Sequence, residues 1–186
     1  MRITARSLTP GSSEFIAGVD LGQAQDPTAL AVIEADAPRL DLRHLERLPL
    51  GTPYPSVIEH VSELMQALPP RSTLVVDAGG PGRPVVDAMR AAGLQPVAVS
   101  ITSGKRTHQV NGMVYVPKRE LVRGLVTAFE NGRLNIAKGL PLADAFMDEL
   151  HAFQVRLTAK GHDTYAARSG EHDDLVIAAA LAAWCA

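Results

Sequence analysis

The chain has 186 residues, of which 46% are hydrophobic and 20% charged, as expected for one globular domain with a substantial core. Its formal net charge is −2, which argues against a protein that holds nucleic acid by overall positive charge, although it leaves room for a local basic surface. The presence of only one cysteine, Cys185, excludes an internal disulfide and a cysteine-based zinc site.

Neither end of the sequence predicts insertion into a membrane. Residues 1–10 lack the continuous apolar stretch of a secretory signal. The apolar run Leu175–Ala186 is too short to span a bilayer and directly follows charged residues, so it predicts a buried helix. We therefore expect a cytoplasmic protein without a membrane partner.

The first part of the chain predicts a linker followed by three strands. Residues 1–13 end in Thr-Pro-Gly-Ser-Ser and are typical of a tether, so we place the folded domain at 14–186. Apolar runs on either side of turn residues predict a hairpin of Phe15–Asp20 with Thr28–Glu34. Alternating polarity predicts a third antiparallel strand at Arg39–Leu48.

The remainder of the chain alternates between helical and extended patterns. In chain order the pattern predicts a helix at Pro55–Leu68, a strand at Leu74–Asp77, a helix at Pro84–Ala92, a strand at Pro96–Ile101, helices at Pro117–Glu130 and Leu140–His151, a hairpin of Phe153–Leu157 with Thr164–Arg168, and a final helix from about His172. This order predicts an α/β fold. Its mixed central sheet has three antiparallel strands followed by parallel ones, with helices on both faces.

Carboxylates stand at three special places in this pattern. Asp20 ends the first strand, Asp77 ends a later one, and Asp173-Asp174 opens the final helix. Each has an ordinary explanation, because Asp is common in turns and an acid at a helix N-terminus is favoured by the helix dipole. Taken together, carboxylates buried at a sheet edge need compensating charge, and a divalent cation compensates several at once. The set predicts a site for Mg²⁺ or Mn²⁺, which prefer oxygen donors.

Four segments resemble, in order and spacing, the nuclease domain of phage terminase large subunits. They are Ala17-Gly18-Val19-Asp20-Leu21-Gly22, Leu74-Val75-Val76-Asp77, Val116-Pro117-Lys118 with Glu120-Leu121-Val122, and Gly170-Glu171-His172-Asp173-Asp174-Leu175-Val176. The likeness covers nearly everything after Ser13. It implies a ribonuclease H-like fold of the resolvase-like superfamily.

The resemblance also implies a reaction and a set of site residues. Asp20, Asp77 and Asp174 would be the catalytic metal ligands, and Asp173 an additional ligand beside them. Glu171 and His172 are accessory candidates. Two ions, Mg²⁺ or Mn²⁺, would support phosphodiester hydrolysis in DNA that leaves a 5′-phosphate and a 3′-hydroxyl.

Basic residues in three places are candidate contacts to the DNA backbone. A glycine-containing loop after the strand at Pro96–Ile101 is basic and suits phosphate binding. The resemblance makes the hairpin at Phe153–Arg168 a flap beside the active site. The alternative is that these exposed side chains only keep the protein soluble. The candidates are Lys105, Arg106 and His108 in the loop, Lys118 in the third matching segment, and Arg156, Lys160 and Arg168 in the hairpin.

The chain departs from a complete terminase large subunit because it has no Gly-x-x-x-x-Gly-Lys-Ser/Thr phosphate loop of an ATPase motor. A nuclease domain separated from its motor and a free-standing relative both remain open. In either case double-stranded DNA is the expected substrate. In a parent assembly that cuts concatemeric viral DNA during packaging, the expected partners are an ATPase domain, a small terminase subunit and a portal, in the host cytoplasm.

Two other functions also remain open. A Holliday-junction resolvase of the same fold would share the carboxylates but select branched DNA. A catalytically silent nucleic-acid-binding or ATP-binding module is the second, because Gly18-Val19-Asp20-Leu21-Gly22 also resembles the phosphate-binding start of sugar kinases and actin-like ATPases. Preferential cutting of four-way junctions would indicate the first, and ATP binding the second.

Overall fold

The computed structural model describes residues 13–22, 26–80, 82–159 and 173–186. The strands in these ranges are β1 Glu14–Asp20, β2 Ala29–Asp36, β3 Arg39–Arg47, β4 Thr73–Asp77, β5 Val97–Thr102, β6 His108–Val110, β7 Met113–Pro117 and β8 Leu134–Ile136. They form one sheet in the order β6-β7-β5-β4-β1-β2-β3-β8.

The sheet is mixed, and most of its strands run in one direction. Strands β1, β2 and β3 are antiparallel neighbours, as predicted. Strands β4, β5 and β7 continue from β1 in parallel, and β8 pairs in parallel with β3. The carboxyl ends of β1, β3, β4, β5 and β7 therefore lie at one edge of the sheet, which we call the carboxyl edge.

Helices cover both faces of the sheet, which confirms the predicted architecture. Their bounds within the described ranges are α1 Tyr54–Ala67, α2 Gly82–Ala91, α3 Lys118–Glu130, α4 Ala143–Ala159 and α5 Asp174–Cys185. Buried residues of α1 and α2 belong to one apolar core, and those of α3, α4 and α5 to another. None of the helices in the part of the chain that the structure describes has the length and apolar character needed to cross a membrane.

Alternation along each strand decides which core a side chain enters. In β1, Ile16 belongs to the core under α5, whereas Ala17 and Val19 belong to the core under α1 and α2. Asp20 lies four residues after Ile16 and is therefore on the α5 face. Val75 of β4 is also in the α5 core, which places Asp77 on that same face.

Helix α5 is apolar throughout and packs directly on β1. Its residues from Asp174 to Ala182 are all buried. The close packing depends on Gly18, because a Cβ added there would lie 2.1 Å from the carbonyl oxygen of Ala178. The missing side chain lets the helix backbone approach the strand, and this contact sets where α5 begins relative to the end of β1.

The predicted strand at Phe153–Leu157 is wrong, because these residues are part of α4. The side chains of Phe146, Leu150 and Phe153 are buried at helical spacing, so the helix continues past His151. The short segment from Phe153 alternates apolar and polar residues, which is compatible with either period, and packing against the sheet selects the helix. The other half of the predicted hairpin lies outside the described residues.

Sequence analysis missed the short strands β6, β7 and β8. The β6–β7 hairpin turns at Asn111-Gly112, whose φ angles are 49° and 77°. Asn-Gly is the preferred pair for a tight hairpin turn that needs positive φ at both positions, so a sequence signal for this hairpin was present. Strand β8 has only three residues and is stabilised by pairing with β3, which no local pattern reveals.

Candidate metal centre

Two of the predicted acids are brought together by neighbouring parallel strands. Val19 of β1 pairs with Val76 of β4, and each strand ends at the next residue, Asp20 and Asp77 respectively. Because both acids lie on the α5 face of the carboxyl edge, their carboxylates raise one another's cost of ionisation. The local cause is simple: each apolar strand ends in an acid at the same height in the sheet.

The start of α5 adds the other two acids to the same edge. Asp173 precedes the helix, and its side chain makes no capping hydrogen bond. Instead Asp173 Oδ2 accepts a hydrogen bond from Lys118 Nζ at 2.5 Å, at the start of α3. Asp174 is buried, with 3% of its surface exposed. The structure thus places Asp20, Asp77, Asp173 and Asp174 in one electrostatic cluster.

Asp20 carries the strongest electrostatic signature of the cluster. Burial is the main cause that raises the pKa of its carboxyl group well above the ordinary value, and the charges of Asp77, Asp173 and Asp174 raise it further. The positive charge of Lys118 acts in the opposite direction. No hydrogen-bond donor among the described residues contacts the Asp20 carboxylate. An acid in this position needs a nearby cation to remain ionised at neutral pH.

Asp77 is partly compensated by the backbone around it. Burial raises the pKa of its carboxyl group, while hydrogen bonds from the backbone N–H groups of Gly79 and Ile101 and the charge of Lys118 lower it. The bond from Gly79 N to Asp77 Oδ1 is 2.8 Å long. The turn after β4 therefore holds the Asp77 side chain in a fixed orientation, and the proposed turn role and a ligand role are compatible.

Sequence analysis missed two residues of the site, Arg47 and Glu149. Arg47 ends β3 two residues after the core residue Leu45, so it lies on the α5 face of the carboxyl edge. Its guanidinium makes a two-pronged contact with Asp174, with Nε to Oδ2 at 2.7 Å and Nη2 to Oδ1 at 2.9 Å. The same Nη2 group also bonds to Glu149 of α4. The alternation of β3 was a signal for Arg47, whereas nothing local marked Glu149.

Glu149 links this ion pair to the backbone of α5. Its Oε2 accepts a hydrogen bond from the N–H group of Val176 at 3.0 Å. Burial is the main cause that raises the pKa of Glu149 to about 7; the Val176 bond and Arg47 lower it, while the charges of Asp174 and Asp173 raise it. Glu149 therefore fixes the Arg47 guanidinium from the side opposite to Asp174.

The donor chemistry of the cluster fits a divalent cation, but its side chains are engaged by basic residues. Across the described ranges, no three His, Cys, Asp or Glu side chains stand in an arrangement that could hold a metal ion. Arg47 pairs with Asp174, and Lys118 pairs with Asp173. Four carboxylates from three elements nevertheless meet at one edge, and the burial of Asp20 leaves negative charge that these two cations do not remove. This is the donor type that Mg²⁺ and Mn²⁺ prefer.

The remaining predicted residues fall in three groups. Lys105 and Arg106 are exposed in the loop after β5, and His108 begins β6 with its ring stacked on Tyr115 at 4.9 Å between centroids. Arg156 lies in α4 and not in a hairpin. Residues of the predicted site that lie outside the described ranges are Lys160, Arg168, Glu171 and His172.

The mixed sheet, the helices on both faces and the acids at the carboxyl edge define a ribonuclease H-like α/β domain. Curated relatives include the terminase large subunits of Thermus phage G20c and Thermus virus P23-45. Each is 24% identical over 168 residues, which cover 90% of this chain. The chain matches only 31% of the length of these relatives. No protein-family model matches the sequence.

Solved structures confirm both the fold and the predicted resemblance. The large terminase nuclease from phage G20c with bound magnesium matches with a TM-score of 0.68 at 22% identity, covering 94% of this chain and 82% of that one. The large terminase nuclease domain of Thermus phage P74-26 matches with a TM-score of 0.64 at 22% identity, covering 91% and 78%. The manganese-soaked, inhibitor-bound nuclease domain of human cytomegalovirus terminase matches with a TM-score of 0.55 at 12% identity, covering 97% and 87%. The chain is therefore similar, in sequence and in fold, to large-terminase nuclease domains.

Proposed function

We propose that the chain is a metal-dependent DNA endonuclease of the large-terminase type. The observation that carries this proposal is the cluster of Asp20, Asp77, Asp173 and Asp174, which burial and mutual repulsion make unfavourable without added positive charge. The cluster lies at the carboxyl edge of a fold shared with terminase nuclease domains. Structures of such domains contain bound magnesium or zinc, or were soaked with manganese.

The metal ligands in this proposal are Asp20, Asp77 and Asp174, with Asp173 as an additional ligand. Two Mg²⁺ or Mn²⁺ ions are the expected cofactors. When bound, such ions supply the positive charge that favours attack of water on a phosphodiester and departure of the 3′ oxygen, which leaves a 5′-phosphate. Asp77, already oriented by the Gly79 N–H group, offers its other oxygen without further ordering.

Arg47 and Lys118 have separate roles in the proposed site. Arg47 aligns the Asp174 carboxylate through both of its oxygens, and Glu149 holds the guanidinium in place, so the start of α5 is fixed relative to β3. Lys118 keeps positive charge beside Asp173 at the outer side of the cluster. A phosphodiester that approaches the acids meets this ammonium group, which offsets the repulsion between phosphate and carboxylates.

The substrate in this proposal is double-stranded DNA. Because the chain corresponds to 31% of each curated relative, a role in cutting concatemeric viral DNA also belongs to the proposal, together with the partners this role requires. These partners are an ATPase domain, a small terminase subunit and a portal. Structures of complete large terminases, including one with ATP-gamma-S, are among the structural neighbours, which supports a motor partner.

Plasmid cleavage tests the proposal directly. Purified protein is incubated with supercoiled plasmid and Mg²⁺ or Mn²⁺, beside an EDTA control and the variants Asp20→Asn and Asp174→Asn. Asp148→Asn is the matched control, because Asp148 is an exposed acid on α4. We expect nicking and linearisation by the parent chain and by Asp148→Asn, and intact plasmid with EDTA or either site variant.

Two results would count against the proposal. Cleavage that persists in both site variants would remove the carboxylate cluster from the reaction. Absence of cleavage by the parent chain, together with metal-independent binding of ATP, would favour the silent-module alternative. A labelled four-way junction in the same assay separates a resolvase from a duplex nuclease, because a resolvase cuts the junction in preference to the plasmid.

A further inference from the structure

An open basic groove runs along the outer face of α3, away from the carboxylate cluster. Its volume is about 540 Å³, and it is lined by the loop after β5, by α3 and by the residues that follow α3. The cations in this lining are Lys105, Arg119, Arg123 and Arg133. We call this surface the α3 groove.

Helical geometry aligns the arginines of the α3 groove. Arg119 and Arg123 are four residues apart and lie one turn from each other on the same face, about 6 Å along the helix axis. Arg133 extends the row past the end of α3, and Lys105 extends it at the beginning. Gly124 lies between the arginines, and a Cβ added there would meet no atom within 4 Å. The floor of the groove is therefore open to a ligand.

The α3 groove is strongly positive although the chain as a whole is not. Its four cations face one acid, Glu120, which gives the lining a net charge of +3, whereas the whole chain carries −2. Glu120 already accepts a hydrogen bond from the Thr107 hydroxyl at 2.9 Å. Within the described ranges, the side chains of Lys105, Arg123 and Arg133 form no ion pair.

The groove is continuous with the candidate metal centre. Arg119 directly follows Lys118, whose ammonium group bonds to Asp173. Arg119 Nη2 also donates to the backbone carbonyl of Lys105 at 3.3 Å, which joins the loop after β5 to the first turn of α3. Since α3 begins at the carboxyl edge, the row of cations starts beside the acids and leads away from them along the helix.

We propose that the α3 groove binds the phosphate backbone of the DNA strand that enters or leaves the candidate metal centre, without regard to base sequence. The choice of ligand rests on the proposed nuclease function; the groove itself rests on its own geometry. Arginine forks suit phosphate oxygens, and the described lining has no aromatic side chain on which a base could stack. Contacts of this kind fix the position of a strand and carry no sequence information.

A binding assay at zero turnover separates this proposal from the nuclease proposal. Affinity for a fluorescent duplex is measured by anisotropy in EDTA over a series of salt concentrations. The test variant is Arg123→Glu/Arg133→Glu. The matched control is Arg83→Glu/Arg90→Glu, which makes the same charge change on exposed residues of α2, on the opposite face of the sheet.

The expected result is a loss of about tenfold or more in affinity for the α3 variant and a decrease of about 2 in the salt slope, one for each lost phosphate contact. The α2 control loses less and keeps the slope of the parent chain. Gly124→Glu, compared with Gly124→Ala, repeats the test with a single added charge in the groove, in case the double variant does not fold.

Three results would overturn the α3 groove. Equal losses in the α3 and α2 variants would show only a general charge effect. An unchanged salt slope in the α3 variant would mean that its arginines do not contact phosphates. Displacement of the duplex by polyglutamate as effectively as by unlabelled DNA would favour an acidic protein partner. If plasmid cleavage depends on Asp20 while the groove variants bind DNA normally, the groove fails and the nuclease proposal stands.

Discussion

The two charged regions of this chain, the carboxylate cluster and the α3 groove, solve the same problem of like charges in opposite ways. The acids are buried or half-buried between β1, β4 and α5, and their repulsion is relieved by Arg47 and Lys118. The cations of the groove are spread along one exposed helix face, where water screens them. Changes in the first region should therefore alter both stability and chemistry, whereas changes in the second should alter binding and little else.

The largest expected effect is that of Asp20→Asn, which should change activity and stability in opposite directions. We expect plasmid cleavage to fall about a thousandfold or more, because a metal ligand contributes several kcal/mol to the transition state. Stability in EDTA should rise, since the substitution removes a charge that burial and three neighbouring acids disfavour. Urea unfolding with and without Mg²⁺ checks this, and metal should stabilise only the parent chain. A variant that is less stable than the parent in EDTA would contradict the electrostatic description.

Arg47→Met should cause the next largest change, in stability. Removal of the guanidinium leaves Asp174 and Glu149 buried without their cation, which costs about 3 kcal/mol. Arg43→Met is the matched control on the same strand, because Arg43 is 46% exposed in its pairs with Glu34 and Asp41 and should change stability by less than about 1 kcal/mol. Equal effects of both substitutions in urea unfolding would show that the cluster is not a specially buried network.

Gly18→Ala tests the packing beneath the cluster. A Cβ at this position would lie 2.1 Å from the Ala178 carbonyl oxygen, so α5 has to move away from β1. We expect a loss of about 2 kcal/mol, as for other overpacked core sites. Because the shift also moves Asp173 and Asp174 away from Asp20, the Mg²⁺-induced rise in Tm should decrease. A stable variant with an unchanged response to metal would mean that the helix position does not define the site.

Glu149→Gln should change how stability depends on pH. The folded state raises the pKa of Glu149 from 4.5 to about 7, so it holds the proton more tightly than the unfolded chain. The stability from this group is therefore present below pH 4.5 and is lost as pH rises towards 7. We expect the variant to gain about 2 kcal/mol relative to the parent across that range in EDTA. Asp148→Asn, its neighbour on α4, should follow the parent curve.

The smallest expected effect is that of Gly124→Ala in the α3 groove, and it should be stabilising. Gly124 lies in the middle of α3, and an added Cβ meets no atom within 4 Å. Higher helix propensity should add up to about 1 kcal/mol of stability, and DNA affinity should not change. Thermal unfolding and anisotropy check the two halves of this prediction. Destabilisation would show that the groove is more tightly packed than the carboxylate comparison assumes.

Much of the fold could be predicted because the long elements carry clear periodic patterns. The strands that end at Asp20 and Asp77 are continuous apolar runs, and α5 is an unbroken apolar segment. Prediction failed where the local pattern was ambiguous or short. The residues from Phe153 alternate like a strand but lie in α4, since packing of Phe146 and Leu150 continues the helix. The Asn111-Gly112 turn was readable but was overlooked.

The sequence by itself determined the elements of this protein and the four candidate acids, because apolar periodicity and an acid at the end of an element are local properties. Only the tertiary structure decided what surrounds those acids. Arg47 is 127 residues from Asp174 and 102 from Glu149, and their contact depends on β3, α4 and α5 meeting at one edge of the sheet. Electrostatic compensation acts through space, so a partner brought in by strand order and helix packing has no signature near the residue that it compensates.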